Sequence, residues 1–157
     1  MDEELTRQLR DLIKRMVAEQ LAENAGVKPL DITRDPSGFA VIRGSNVELE
    51  VFDTGKPQDR VNFCQFLTSK ESPNLAFGLL DIEESSFDWY LGYDEVDYIL
   101  KGTWEITIKG KTYTGHAGDT MFIPHNTAVT FSSPDHATVF YAAYPANWEE
   151  LCEESPS

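Results

Sequence analysis

Positive charge is scarce in this 157-residue chain. Only 13 Lys and Arg stand against 27 Asp and Glu, a formal net charge of −14. A surface this acidic repels nucleic acid and anionic lipid, so neither is expected as a partner. Cysteine is nearly absent. Cys64 and Cys152 are the only two, with no paired spacing, which argues against a disulfide framework and a cysteine zinc site. Histidine is limited to His116, His125 and His136. No apolar run approaches membrane-spanning length, and the N-terminus carries no basic-then-apolar leader. A cytoplasmic protein with no membrane partner is expected.

What is present is ordinary globular material. Hydrophobic residues make up 41% and aromatics 11%, enough to bury one core. Leu5, Leu9, Leu12, Ile13, Met16, Val17 and Leu21 recur on one face of a helix with a period of about 3.6 residues. Gly26 and Pro29 should end that helix, and Asn24–Gly38, rich in breakers, reads as a linker. From Phe39 the period falls to two. Short strands are predicted at Ala40–Ile42, Val47–Phe52, Val61–Leu67, Leu75–Asp81, Tyr93–Leu100, Thr103–Lys109, Lys111–Gly115, Thr120–Ile123, Ala128–Ser132 and Ala137–Tyr144. Glu83–Asp88 and Ser132–His136 read as loops. Lys101-Gly102 and Lys109-Gly110 read as hairpin turns. The predicted organisation is helix and linker over residues 1–38, then an all-β barrel with a C-terminal tail over 39–157. Many short strands with frequent turns mean a sandwich or barrel.

Two stretches sharpen the class. Tyr93–Gly102 (YDEVDYILKG) and Gly118–Pro124 (GDTMFIP) resemble the two signature motifs of the cupin, a double-stranded β-helix related to the jelly roll. In most cupins this frame carries metal-binding histidines. Aligned on Glu95 and Gly102, the first motif puts Trp89 and Leu91 where two His would stand. Aligned on Gly118 and Pro124, the second puts Val129 where the third would stand. Of the usual ligands only the acid remains, as Glu95. No His-coordinated transition metal is expected. The three histidines present fall away from those positions and read as loop or rim residues.

Three further segments resemble one family within the cupins: Phe87–Asp97 (FDWYLGYDEVD), Ala117–Pro124 (AGDTMFIP) and Tyr144–Trp148 (YPANW). They are similar to the EutQ proteins of ethanolamine utilisation. The resemblance covers the barrel from Phe39 to Trp148 and continues more loosely into the N-terminal helix. It implies a place in ethanolamine breakdown within a bacterial microcompartment. It also implies an acetate kinase activity, converting acetyl phosphate and ADP to acetate and ATP with Mg²⁺, or else a non-catalytic assembly role.

The residues that could carry chemistry lie on the first motif. Side chains alternate along a strand, so Tyr93, Glu95 and Asp97 share a face, which in cupins is the cavity face. Two adjacent carboxylates either raise each other's pKa or hold a hard cation such as Mg²⁺. Glu95, Asp97 and Tyr93 are therefore the candidate catalytic residues, with Glu95 and Asp97 the candidate metal ligands for a small-molecule substrate. Trp89, Leu91, Trp104, Val129 and Phe131 are the expected apolar lining. No phosphate-binding loop is legible. Pro145–Trp148 is predicted to clasp the tail onto the barrel through Trp148. The helix must bury its stripe somewhere. Packing on the barrel, across a homodimer, or against microcompartment shell or core proteins are the readings it leaves open.

Overall fold

The computed structural model describes residues 3–24 and 29–153. The chain divides into two compact units, one ending at Glu48 and the other beginning at Leu49.

The first unit opens with helix α1, Glu3–Asn24. Its stripe residues Leu5, Leu9, Leu12, Ile13, Met16 and Val17 stay roughly half exposed. Gly26 and the side chain of Leu21 lie outside the described residues. The segment expected as a linker contributes a strand to a small sheet. Ile32–Arg34 (β1) pairs antiparallel with Ala40–Ile42 (β2). The turn between them is closed by Asp35, whose carboxylate accepts a hydrogen bond from the Ser37 amide at 2.8 Å, and by Gly38 at φ +96°, a conformation glycine reaches without a Cβ clash.

The second unit is a β-sandwich made from long, bent strands. These are β3 (Glu50–Val51), β4 (Arg60–Gln65), β5 (Ala76–Leu91), β6 (Asp94–Ile108), β7 (Lys111–His116), β8 (Thr120–Ile123) and β9 (Thr127–Tyr144). The hydrogen-bonded order is β3-β4-β5-β9-β6-β7, with β8 also paired to β6. The first half of β5 pairs with the second half of β9, and the second half of β5 with the first half of β9. The three long strands thereby contribute to both layers. Residues from both inner faces, among them Ile82, Phe87, Ile99, Trp104, Phe131 and Val139, form one core.

Several expected breaks are absent for this reason. Glu83–Asp88 is strand, not loop. Ser85 and Phe87 point inward, and Glu83, Glu84, Ser86 and Asp88 are exposed, with a bulge at Glu84 (φ +42°). Ser132–His136 lies within β9, and His136 faces Glu83 across the ladder. Lys101-Gly102 is not a hairpin turn, because β6 runs through it. Gly102 sits at φ +77° next to a register shift. A Cβ there would stand 1.7 Å from the carbonyl oxygen of His136. The glycine lets β6 bend from one layer to the other against β9. Conversely, only Glu50–Val51 of the predicted strand Val47–Phe52 pairs. Lys109-Gly110 is the tight turn expected, joining Ile108 to Lys111, both residues at positive φ.

The two outer faces differ. One carries Asp88, Thr107, Thr112 and Thr130, joined by hydrogen bonds of Thr130 to Asp88 (2.7 Å) and Thr107 to Thr112 (2.7 Å). The other is apolar. Phe122, Val96, Ala142 and Phe77 follow one another across β8, β6, β9 and β5. Tyr98, Phe140, Leu79 and Cys64 make a second row across β6, β9, β5 and β4. Phe122 is 63% exposed. No charged side chain interrupts these two rows.

Candidate functional site

Between the two layers lies a cavity of about 50 Å³. By the usual measure of about 10–15 Å³ per water, it holds a few small atoms' worth of ligand. Its wall is aromatic: Phe52, Phe63, Phe87, Trp89, Phe131 and Trp148. Its polar groups come from neighbouring strands. Glu95 and Asp97 project from β6, Tyr93 from the bend just before it, and Tyr141 from β9 opposite Asp97.

Period-two alternation does bring Tyr93, Glu95 and Asp97 onto one face, as expected. Asp97 is 1% exposed. The indole N–H of Trp104 donates to its Oδ2 at 3.1 Å, and the Trp104 ring stacks on Phe131 with centroids 5.1 Å apart. Tyr93 is held from the other side, where its hydroxyl accepts the Trp89 indole N–H at 2.8 Å. Burial is the main cause that raises both carboxyls. It holds Glu95 well above the usual carboxylate range, and the neighbouring Asp97 charge adds to this. Asp97 is pushed up to about 6, restrained by its bonds from Glu95 and Trp104. Both carboxyls therefore hold their protons to higher pH than free acids do, Glu95 more firmly than Asp97. Burial also raises the Tyr93 phenol, so it stays neutral.

Of the expected lining, Trp89, Trp104 and Phe131 border the cavity. Leu91 and Val129 do not. Both are buried in the core; Leu91 lies two residues past Trp89 on β5, and Val129 faces Trp89 across the ladder. Tyr141, Phe52 and Phe63 belong to the site but were not marked by the sequence. The ladder register sets Tyr141 of β9 beside Asp97 of β6, while Phe63 of β4 and Phe52 just after β3 reach the cavity from strands further along the order, and no local pattern encodes either. The tail clasp is present: Trp148 packs on Phe63, Trp89 and Tyr93 at 6.1–6.3 Å between centroids. Its indole N–H donates to Gln65 Oε1 at 2.9 Å.

The histidines lie elsewhere. His125 bonds Asp94 at 3.0 Å on the surface, and His136 bonds Asp81 at 2.8 Å. Among the described residues, no three His, Cys, Asp or Glu side chains gather into a metal-holding group. The acid pair alone does not fit a resident Mg²⁺. One Asp97 oxygen is already engaged by the Trp104 indole N–H. An octahedral ion would need water ligands whose protons would face aromatic rings.

A two-layer β fold of bent strands around a small central cavity defines a cupin. The cupin domain of Schizosaccharomyces pombe Cnp3 matches it with a TM-score of 0.54 at 14% identity, covering 83% of this chain and 99% of that one. At finer level the chain belongs to the EutQ family: the sequence model described as Ethanolamine utilisation protein EutQ matches residues 1–150. It is 34% identical over 143 residues to the protein named acetate kinase EutQ of Clostridioides difficile (strain 630), covering 89% of this chain and 91% of that one. The solved structure of the Clostridium difficile EutQ protein has a TM-score of 0.74 at 37% identity, covering 78% of this chain and 91% of that one. The chain spans 63% of the length of the like-named Escherichia coli (strain K12) relative. No helix among the described residues is long and apolar enough to cross a membrane.

Proposed function

We propose that this EutQ protein acts in ethanolamine utilisation as an acetate kinase, with the acyl end of acetyl phosphate seated in the cupin cavity. The observation that carries this reading is the match in scale and chemistry. A cavity of about 50 Å³ with an aromatic wall suits a two-carbon group, and the acid pair offers it a hydrogen-bond donor. The phosphoryl group and ADP remain at the mouth. A terminal phosphate oxygen of ADP attacks phosphorus, the bond from phosphorus to the acyl oxygen breaks, and that oxygen leaves with the electron pair as acetate. Glu95 donates a hydrogen bond to the developing charge, with Asp97 fixing its orientation. The proton stays with the pair, so the step balances without net proton transfer. Mg²⁺ enters on this reading as the nucleotide's own counterion. Arg60 contributes little here, since Glu83 and Glu84 occupy it at 3.3 and 3.0 Å.

The test is ATP formation from acetyl phosphate and ADP by the purified protein beside Glu95→Leu. Removing a donor aimed at developing charge costs about 10²–10³ in turnover. Glu95→Leu should therefore fall by that much while remaining folded by circular dichroism. Full activity in the variant, or none in the wild type, overturns the reading.

The chain also acts, on this proposal, as a homodimer through the apolar outer face. Its two rows centred on Val96, Tyr98 and Phe122 are uncharged on a chain of net charge −14, so two copies can meet there without opposing acids. Phe122→Glu should convert the dimer to monomer in sedimentation, and an unchanged sedimentation coefficient rejects this face.

A second reading, an assembly protein of a bacterial microcompartment, is favoured by the half-exposed stripe of α1. On this non-catalytic reading, deleting residues 1–38 abolishes co-purification with compartment shell or core proteins. Retained co-purification counts against it.

A further inference from the structure

One polar group in the cavity is still without a role. Tyr141 is 7% exposed, and its hydroxyl is buried with no hydrogen-bond partner. Among the described residues it is the only buried side-chain polar atom so left. An unpaired phenol inside a protein is costly, and such groups normally meet a water or a ligand. Tyr141 borders the cavity and lies opposite Asp97 in the ladder, so the two side chains stand side by side on the inner face. The polar end of the cavity thus has a second donor beside the acid pair, and the rest of its wall is apolar. A molecule that fits is uncharged at the end it inserts. It carries one oxygen acceptor and has no more than about five heavy atoms, given a volume that admits three to five waters.

We propose that the cavity is a binding pocket for two- and three-carbon acyl groups, in which the Tyr141 hydroxyl donates to the carbonyl oxygen and the alkyl end rests against Trp89 and Trp148. This deepens the acyl-end placement proposed above and rests on it. Tyr141 is then a positioning and selectivity residue: it fixes which way the acyl group faces. The aromatic wall limits chain length, because a longer alkyl chain meets closed packing.

All three tryptophans of the chain, Trp89, Trp104 and Trp148, line the cavity, so intrinsic fluorescence reports its occupancy. Uncharged carbonyl probes keep protonation out of the measurement. The experiment titrates acetamide, propionamide and hexanamide into the full-length protein at millimolar concentrations, read by tryptophan fluorescence and by saturation-transfer NMR. It is repeated with Tyr141→Phe. The expected result is saturable binding of the two short amides, none of hexanamide, and dissociation constants about 5-fold weaker in the variant, the effect of one neutral hydrogen bond. The melting temperature of Tyr141→Phe should be unchanged or higher, since no native bond is lost. A purely structural tyrosine would give the opposite pattern. No saturable response to either short amide, equal binding of hexanamide, or an unchanged constant in Tyr141→Phe overturns the proposal. The kinase reading fails separately. Short amides that bind to a protein forming no ATP leave the pocket standing and remove the kinase. ATP formation without amide binding does the reverse.

Discussion

Trp148→Ala is expected to lower the unfolding free energy by about 3–5 kcal/mol, the range for truncating a large buried aromatic. The residue is only 8% exposed, yet it lies outside the long strands, in the short 3₁₀ turn Trp148–Leu151. Its ring closes one side of the cavity against Phe63, Trp89 and Tyr93. Its N–H satisfies Gln65, so truncation leaves a part-buried amide oxygen unpaired as well as a void. The same turn is pinned by the Gly92 amide, which donates to the Leu151 carbonyl at 2.7 Å. A side chain at Gly92 would run into that carbonyl. Loss of Trp148 therefore frees the tail from the bend that carries Tyr93. Trp148→Phe is the control: it keeps most of the ring and loses the hydrogen bond, and should cost about 1–2 kcal/mol. Urea unfolding of the three proteins checks both numbers. Equal stability of Trp148→Ala and wild type would show that the clasp is ornamental.

The clasp also shows which parts of the architecture could be read from the chain. Pro145–Trp148 was legible because a tryptophan just past the last apolar strand has few places to go but the core. Tyr93, Glu95 and Asp97 were legible because strand alternation is local. The continuity of β5, β6 and β9 was not. Glycine at positive φ serves a hairpin turn and a bulge equally well, and only the His136 carbonyl across the ladder decides between them at Gly102. Ser132-Ser133-Pro134-Asp135-His136 has loop composition but keeps strand geometry, because Ser133 faces inward, Ser132 bonds Glu105, His136 bonds Asp81 and the other two meet solvent. Leu91 and Val129 were misplaced for the same reason that Tyr141 was missed. Alternation says which face a residue takes but not how far along the sandwich it sits, and cross-strand register supplies that second coordinate.

The protein should be most stable in mild acid and lose stability as pH rises through neutrality, opposite to the trend that surface ion pairs impose. The sign follows from the buried acid pair. Both carboxyls are raised in the folded state, by burial first, so between the unfolded value near 4 and the folded values the native protein holds more protons than the unfolded chain. Stability then falls with increasing pH. Each pKa unit is worth about 1.4 kcal/mol. Moving Asp97 from 3.8 to about 6 thus removes roughly 3 kcal/mol between pH 4 and 7, and Glu95 continues the decline above that. The exposed carboxyls of Asp35, Asp94 and Asp135 are lowered, chiefly by hydrogen bonds from Ser37, His125 and His136. Their contribution has the other sign and is lost only as pH falls below about 4, so the two effects occupy different windows. Repulsion among the 27 acids also grows with pH, which is why the wild type alone does not settle the cause. The double variant Glu95→Gln, Asp97→Asn replaces the buried acid pair by two amides that can keep one mutual hydrogen bond and the bond from Trp104, while the surface charge stays as it was. Urea unfolding at pH 4.5, 6 and 8 should give a steep decline for the wild type and a shallow one for the variant, the two curves separating by at least about 2 kcal/mol at pH 8. Parallel curves would mean that the pair holds no extra proton in the native state, and would remove the hydrogen-bond donor on which the proposed acyl chemistry depends.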